Sequence, residues 1–296
     1  MTRIIYVNGR YVPYADAAVH AEDRGFQFAD AVYEVCEVKG GRLVDEARHL
    51  TRLWRSLSEL GITKPMSAGA LGLVMRQTIR RNRVSDGLVY VQVTRGEGVR
   101  DFHFPDPDTT PPTLVCLARR LDPAKIAARA AAGIAVKTMP DSRWGRCDLK
   151  TVMLLPACLA KDAARQEGAH EAWFVDADGF VTEGAASNAW IITQAGTLVT
   201  RPLGTGLLAG VTRATVMDEL KLLQLTVDER AFTVAEAKGA AEAFITSATG
   251  TVMPVVRIDG HSIGTGRPGA KTLQIRDKFH HSAQLSNKLM SDQISV

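Results

Sequence analysis

Two strand-rich halves, each with helices attached, predict a two-domain α+β protein. Short runs with period-two alternation of apolar residues recur along the whole chain, and runs with helical period interrupt them in both halves. An Ala- and Arg-rich segment, Asp122 to Gly133, separates two halves of different rhythm. The boundaries expected from these signals are an N-terminal domain over 1–120, a linker over 121–132, a C-terminal domain over 133–285 and a polar tail over 286–296. A chain of 296 residues is long enough to bury two ordinary cores.

The first half opens with a hairpin, Ile4 to Val7 and Tyr11 to Val12, around Asn8-Gly9, a pair that tolerates the positive φ of a type I′ turn. A polar-aromatic loop, Glu22 to Asp30, feeds a strand over Ala31 to Val38, whose alternation puts Tyr33 and Glu34 on opposite faces. From Asp45 the period becomes helical: Leu50, Leu53, Trp54, Leu57 and Leu60 recur on one stripe, Arg52 lies off it, and Gly61 supplies the stop. A second helix is expected over Ala68 to Arg83, then strands over Gly87 to Thr94 and Thr113 to Ala118. Between those strands, Arg95 to Pro112 is rich in Gly, Pro and Asp, the composition of a functional or mobile loop.

The second half begins with a strand over Ile134 to Thr138 and the stretch Arg146-Cys147-Asp148-Leu149-Lys150. A helix is expected over Thr151 to Glu167, with Pro156 in its early turns and Gly168 after it. Short strands follow over Glu171 to Asp176, Phe180 to Glu183, Asn188 to Thr193 and Thr197 to Thr200. A helix from about Thr212 precedes strands over Leu225 to Glu229, Ala243 to Thr246 and Val255 to Ile258. The chain after His280 is polar and expected to be poorly ordered.

Composition excludes several classes. A net charge of +4 without a Lys/Arg block does not suggest a nucleic-acid partner. No apolar run reaches membrane-spanning length and no leader is visible. Cys36, Cys116, Cys147 and Cys158 lack CxxC spacing and sit in mostly apolar surroundings, so buried thiols in a reducing cytoplasm are expected rather than disulfides or a metal site. Gly264-Thr265-Gly266-Arg267-Pro268-Gly269 matches the spacing of a dinucleotide fingerprint, but Pro268 and the nearby chain end argue against an NAD site. His280-His281 has no ligand partner in sequence, so no metal is expected.

Three places carry chemistry. A lysine at the mouth of a helix that buries one face is partly desolvated, which lowers its pKa and makes Lys150 a usable amine nucleophile; otherwise it is a solvated surface charge. Glu183, at a strand end before Gly184-Ala185-Ala186-Ser187-Asn188, is either an exposed carboxylate or one that keeps a pyridine nitrogen protonated. The glycine-containing turn Leu207-Leu208-Ala209-Gly210-Val211-Thr212 runs into a helix, so its amides and the Thr212 hydroxyl form an anion site, unless Thr212 is simply the N-cap. Thr246-Ser247-Ala248-Thr249-Gly250 is a second hydroxyl-rich turn which, with Arg52, would complete a phosphate cradle.

These pieces, in this order, resemble the fold-type IV pyridoxal-phosphate aminotransferases, the branched-chain aminotransferase-like class, and within it the D-amino-acid aminotransferases. The resemblance rests on five stretches that span nearly the whole chain. They are Arg24 to Val35, His49-Leu50-Thr51-Arg52-Leu53, Arg143 to Lys150, Thr182-Glu183-Gly184 with Ser187-Asn188, and Gly210-Val211-Thr212-Arg213. It implies a small N-terminal α/β domain, a larger barrel-like C-terminal domain and a homodimer with pyridoxal 5'-phosphate between domains. It implies Lys150 as the Schiff-base lysine and acid/base, and Glu183 as the partner of the pyridine nitrogen. Arg52, Val211 and Thr212 would hold the phosphate, and Leu208 would pack on the ring.

Where the family has a threonine on the phosphate this chain has Ala248, with Thr249 or a backbone amide as substitute, and Ala185 and Ala186 replace serines. For the substrate carboxylate the resemblance implies Tyr33 and, on a loop from the neighbouring subunit, Arg100. The expected histidine position is Phe102, with His103 one step beyond. The implied reaction is transamination between a D-alanine-like D-amino acid and a 2-oxo acid, 2-oxoglutarate or pyruvate. A branched-chain L-amino-acid transaminase, an (R)-amine transaminase and an aminodeoxychorismate lyase are the alternatives.

Overall fold

The computed structural model describes residues 3–283 and 285. Two compact units make up the chain. One runs to Pro123 and takes back the segment Leu149–Met153; the other comprises Ala124–Asp148 and Leu154–Ala283. The stretch 121–132, expected as a linker, is helical from Pro123 onward. Lys150 falls in the first unit, apart from the helix it was expected to open.

In the first unit, β1 (Ile4–Val7) and β2 (Arg10–Pro13) form the expected hairpin. Asn8 and Gly9 sit at φ 42 and 89, the positive angles a type I′ turn requires. The stretch expected as plain loop contains a short helix, α1 (Arg24–Phe28), started by the Asp23 carboxylate accepting from the Gly25 amide. Next come β3 (Ala31–Lys39), β4 (Arg42–Leu43), α2 (Glu46–Glu59), α3 (Ala68–Arg81), β5 (Gly87–Thr94) and β6 (Leu114–Arg120). The six strands pair antiparallel in the order β2-β1-β6-β5-β3-β4. Leu50, Leu53 and Leu57 of α2 and Leu71, Met75 and Ile79 of α3 bury against Val32, Cys36, Val89 and Val91 of the sheet. Apolar burial of this kind contributes about 25 cal/mol per Å².

The second unit runs α4 (Pro123–Ala132), β7 (Ile134–Pro140), α5 (Leu155–Gln166), β8 (Glu171–Val175), β9 (Val181–Gly184), β10 (Asn188–Ile192) and β11 (Leu198–Thr200). It continues with α6 (Val211–Leu222), β12 (Val227–Glu229), α7 (Val234–Lys238), β13 (Glu242–Ser247), β14 (Thr251–Ile258), β15 (His261–Ser262) and α8 (Ala270–Ser282). The mixed, curled sheet has the order β12-β11-β10-β13-β14-β7-β8-β9, with β15 on β14. Trp173 and Phe232 centre one core cluster. Trp190, stacked on Phe244 at 5.4 Å, centres another beneath α6 and α8.

Several expectations are corrected here. The helix expected from Thr151 starts at Leu155. A start at 151 would place Pro156 where its amide is needed and its ring clashes, at a cost of about 3 kcal/mol; a start at 155 puts it in the first turn, where neither matters. Cys158 is exposed, because α5 buries Ala157, Ala160 and Ala164 instead; Cys36 and Cys116 are buried as expected, and Cys147 is half-buried. The helix α8 continues through His280 and His281 to Ser282, past the point where order was expected to end. Residues 286–296, the expected polar tail, lie outside the described residues.

A helix does follow the Gly264-to-Gly269 pattern, contrary to the reasoning from Pro268. Its first-turn amides, Lys271 and Thr272, already donate to the Glu242 carboxylate at 3.1 and 2.8 Å. The preceding strand β15 is two residues long and antiparallel to β14, so there is no βαβ unit to bind a dinucleotide.

Candidate active site

In the first unit, β3 delivers two groups to opposite faces. Glu34, 2% exposed, lies against α2, where Arg52 Nε donates to Oε1 at 2.7 Å and Arg52 Nη2 to Oε2 at 2.9 Å. His49 Nδ1 is 2.7 Å from Oε2. Burial alone would raise the Glu34 pKa; the Arg52 charge, its hydrogen bonds and those of His49 outweigh it and hold the carboxyl well below the usual range. Arg52 was expected off the apolar stripe of its helix, yet it is 8% exposed. The counter-charge of Glu34 beneath it makes that burial tolerable.

On the other face, Tyr33 stacks on Tyr90 with centroids 5.5 Å apart, and Lys150 Nζ lies 4.2 Å from the Tyr33 ring centre. The Tyr33 amide donates to the Lys150 carbonyl at 2.9 Å, Val32 pairs with Thr151, and the Val152 amide donates to Ala31 O. The main chain therefore anchors the lysine to β3, and no helix positions it. Tyr90 donates to Gln92 Oε1 at 2.7 Å; burial and then Tyr33 push its phenol well above the usual range, so it remains a donor at any ordinary pH. Sequence reasoning passed over Tyr90 and Gln92. The signal was the alternation of β5, where Val89, Val91 and Val93 take the buried face and leave these two on the Tyr33 side.

The 95–112 loop belongs to this unit. Arg100 is exposed, its guanidinium 5.1 Å from the Phe28 ring centre. His103 is exposed as well, with Nδ1 3.1 Å from Asp101 Oδ1.

In the second unit, Glu183 is 5% exposed and held from three sides. Asn188 Nδ2 and the Leu208 amide donate to Oε2 at 3.0 and 3.1 Å, and Arg143 Nη1 donates to Oε1. Arg143 is itself clamped: Nε and Nη2 donate to Asp141 at 2.9 and 2.8 Å, and its guanidinium lies 4.6 Å from the Phe174 ring centre. Burial works against the Arg143 charge, and Asp141 and Glu183 more than restore it. Burial would likewise raise Asp141, but hydrogen bonds and charge from Arg143 lower it. The exposed-carboxylate alternative for Glu183 is thereby removed. Arg143 opened the lysine segment in the sequence, but nothing there pointed to the carboxylate it meets forty residues later.

The helix α6 starts at Val211 with Gly210 as its N-cap, so Thr212 lies inside the first turn and is not the cap. That turn carries no acidic residue, and its amides are among those a helix leaves without internal partners. Strand register places Asn188 opposite Thr246, so the 247–250 turn sits at the same end of the sheet as Asn188. Just before that turn Thr246 Oγ1 accepts from Trp190 Nε1, and within it Ser247 Oγ accepts from the Gly250 amide. Ala248 is half-buried, and Thr249 is exposed at the tip.

The family model for amino-transferase class IV matches residues 31–258, and the chain belongs to that family. The D-alanine aminotransferase of Bacillus licheniformis is 36% identical over 278 residues, 94% of this chain and 96% of its relative. That of Staphylococcus haemolyticus is 34% identical over 280 residues, 95% and 97% of the two chains. The branched-chain amino acid aminotransferase of Escherichia coli superposes with a TM-score of 0.85 over 98% of both chains at 22% identity, a likeness of fold.

Class IV aminotransferases depend on pyridoxal 5'-phosphate, and this is the cofactor of the chain. The residues fit it. Asp141, Arg143 and Glu183 together carry one more negative than positive charge, which suits a protonated ring nitrogen. The α6 N-terminus suits a phosphate.

A side chain added at Gly210 would meet Asn188 Oδ1 at 2.0 Å, so Gly210 keeps the backbone close to the amide that grips Glu183. Gly210→Ala is expected to weaken cofactor affinity about 10-fold and to cost about 1–3 kcal/mol of stability by overpacking. Cofactor titration and urea unfolding read the two effects; unchanged affinity would disconnect Asn188 from the ring site.

Proposed function

We propose that this chain transfers amino groups between D-amino acids, D-alanine among them, and 2-oxo acids such as 2-oxoglutarate and pyruvate. The observation that carries the reading is the near full-length similarity to D-alanine aminotransferases at 34–36% identity. Tyr33 beside Lys150, and an exposed arginine on the 95–112 loop, are the side chains such a substrate needs.

When bound, pyridoxal phosphate supplies an aldehyde to take the amino group and a protonated ring to accept electrons from the substrate Cα. Lys150 Nζ would anchor the cofactor covalently and, once the substrate amine displaces it, move the proton between the substrate Cα and the cofactor's C4′ from one face, which sets stereochemistry. Glu183, oriented by Arg143, Asn188 and the Leu208 amide, would accept from the ring nitrogen and favour its protonated form. By the family resemblance, Arg52, the Val211 amide and the Thr212 hydroxyl would hold the phosphate, with Ala248 or Thr249 as a further contact, and Leu208 would pack on the ring. Arg100 takes the substrate carboxylate in a forked pair, with Tyr33 and His103 as further donors. The chain works as a homodimer in which the Arg100 loop serves the neighbouring subunit.

The cytoplasm is its proposed location: the four cysteines are free thiols, and among the described residues no helix is long and apolar enough to cross a membrane. A half-reaction panel tests the substrate. Holoenzyme mixed with D-alanine is expected to convert its cofactor to the amino form, whereas L-leucine and (R)-1-phenylethylamine leave the spectrum unchanged. Conversion by L-leucine and not by D-alanine would replace this reading with the branched-chain one.

A further inference from the structure

The segment 22–30 has no task in the chemistry above, yet it contains buried charges. Asp23 and Arg24 are 1% and 3% exposed. This segment is joined to the root of the 95–112 loop. Asp23 Oδ2 accepts from Thr94 Oγ1 at 2.8 Å, the Arg24 amide donates to Gly96 O at 2.9 Å, and the Arg95 amide donates to Asp30 O at 3.1 Å. Arg24 then reaches past the root. Its Nη1 donates to the carbonyls of Asp101 and His103 at 2.8 and 3.3 Å, while its Nε donates to Asp30 Oδ2 at 2.8 Å. The same carboxylate oxygen receives Arg95 Nε at 2.7 Å. Arg95 ends on the carbonyls of Leu60 and Gly61, beyond the close of α2, with the Phe104 ring 3.8 Å from its guanidinium.

Burying two guanidinium groups around one carboxylate is costly unless each finds its full set of acceptors. Here those acceptors are main-chain carbonyls, so the charges fix backbone positions and the loop next to Arg100 is held at 101 and 103. We propose that Arg24 is a positioning residue for substrate selection: by gripping Asp101 O and His103 O it sets where the Arg100 guanidinium is presented. The proposal rests on the reading of Arg100 as the group that takes the substrate carboxylate. Arginine is required because one planar fork must meet a carboxylate and two carbonyls at once; a lysine keeps the charge but offers a single centre.

The test is steady-state kinetics of Arg24→Lys holoenzyme with D-alanine and 2-oxoglutarate. Loss of the charge-assisted hydrogen bonds to the substrate carboxylate is expected to raise KM for both substrates roughly 10- to 100-fold. The turnover number at saturation and the visible absorbance of the bound cofactor stay within about twofold, the signature of lost uniform binding. Unchanged KM overturns the proposal, and so does a fall in kcat at constant KM, which marks a general effect on the fold.

If Arg24→Lys does not fold, Phe104→Ala gives the second arm, because that ring is exposed and lies on the loop. A lost cation–π contact of about 0.5–1 kcal/mol predicts a KM rise of roughly 2- to 5-fold, and no rise overturns the proposal. Failure of the underlying substrate reading looks different: the wild-type enzyme then does not react with D-alanine at all. The KM for 2-oxoglutarate, measured with whichever amino donor the half-reaction panel identifies, still reports on Arg24 in that case.

Discussion

Lys150→Ala is expected to lower transamination by at least about 10,000-fold while leaving a folded protein. The activity loss follows from the role proposed for Lys150, as both covalent anchor and acid/base, since acid/base catalysis alone contributes about 100- to 10,000-fold. The fold should survive because the main chain, and not the ammonium, holds this segment: Tyr33 N donates to Lys150 O, and Val32 pairs with Thr151. The side chain's one close ring contact, 4.2 Å from the centre of Tyr33, contributes about 0.5–1 kcal/mol at a half-exposed site. Borohydride reduction followed by mass spectrometry reads the anchor directly. A cofactor adduct that persists in Lys150→Ala, with an unchanged visible spectrum, would remove Lys150 from its assigned role.

Glu34→Gln is expected to cost about 3–5 kcal/mol, because it leaves Arg52 buried without its counter-charge. The substitution preserves size, so the loss is electrostatic and is read as a shift in the urea midpoint. It also changes the dependence on pH, and the sign is determined by the direction of the shift. The Glu34 carboxyl titrates lower in the folded chain than its ordinary value of 4.5. Its stabilisation is fully present above about pH 4.5 and is lost as pH falls below that toward the folded value. Wild-type stability should therefore fall on acidification through this window more steeply than that of Glu34→Gln. Equal slopes, or a midpoint shift worth less than about 1 kcal/mol, would mean that Glu34 is not the anchor of Arg52, the arginine proposed to hold the phosphate. Cofactor affinity should drop alongside stability under the proposed role of Arg52 at the phosphate, since the guanidinium loses the Glu34 carboxylate that holds it in place.

The groups read most securely from sequence leave a mark within a few residues of themselves. Glu183 is followed by small residues, Thr212 by a helical pattern and before it by a glycine, and the β3 alternation separates Tyr33 from Glu34. The clamps left no such mark. Arg52 finds Glu34 eighteen positions away, Arg143 finds Glu183 forty away, and Arg24 finds Asp101 seventy-seven away. Errors in the elements have the same origin. Pairing of the Lys150 segment with β3 held 149–153 out of the helix, and α8 follows the Gly264-to-Gly269 pattern despite Pro268, its Lys271 and Thr272 amides taken by Glu242.

The sequence by itself determined which chemical groups this protein has and, Lys150 apart, on what kind of element each sits, because helical and strand periods and turn chemistry act over a few residues. It thereby determined the fold class, and five motifs in order carried the resemblance to the family. Only the tertiary structure decided which buried charge meets which: Glu34 with Arg52 and His49, Arg143 between Asp141 and Glu183, Arg24 on the loop carbonyls. Ion pairing depends on separation in space and on exclusion of water, and neither quantity exists until distant segments have packed.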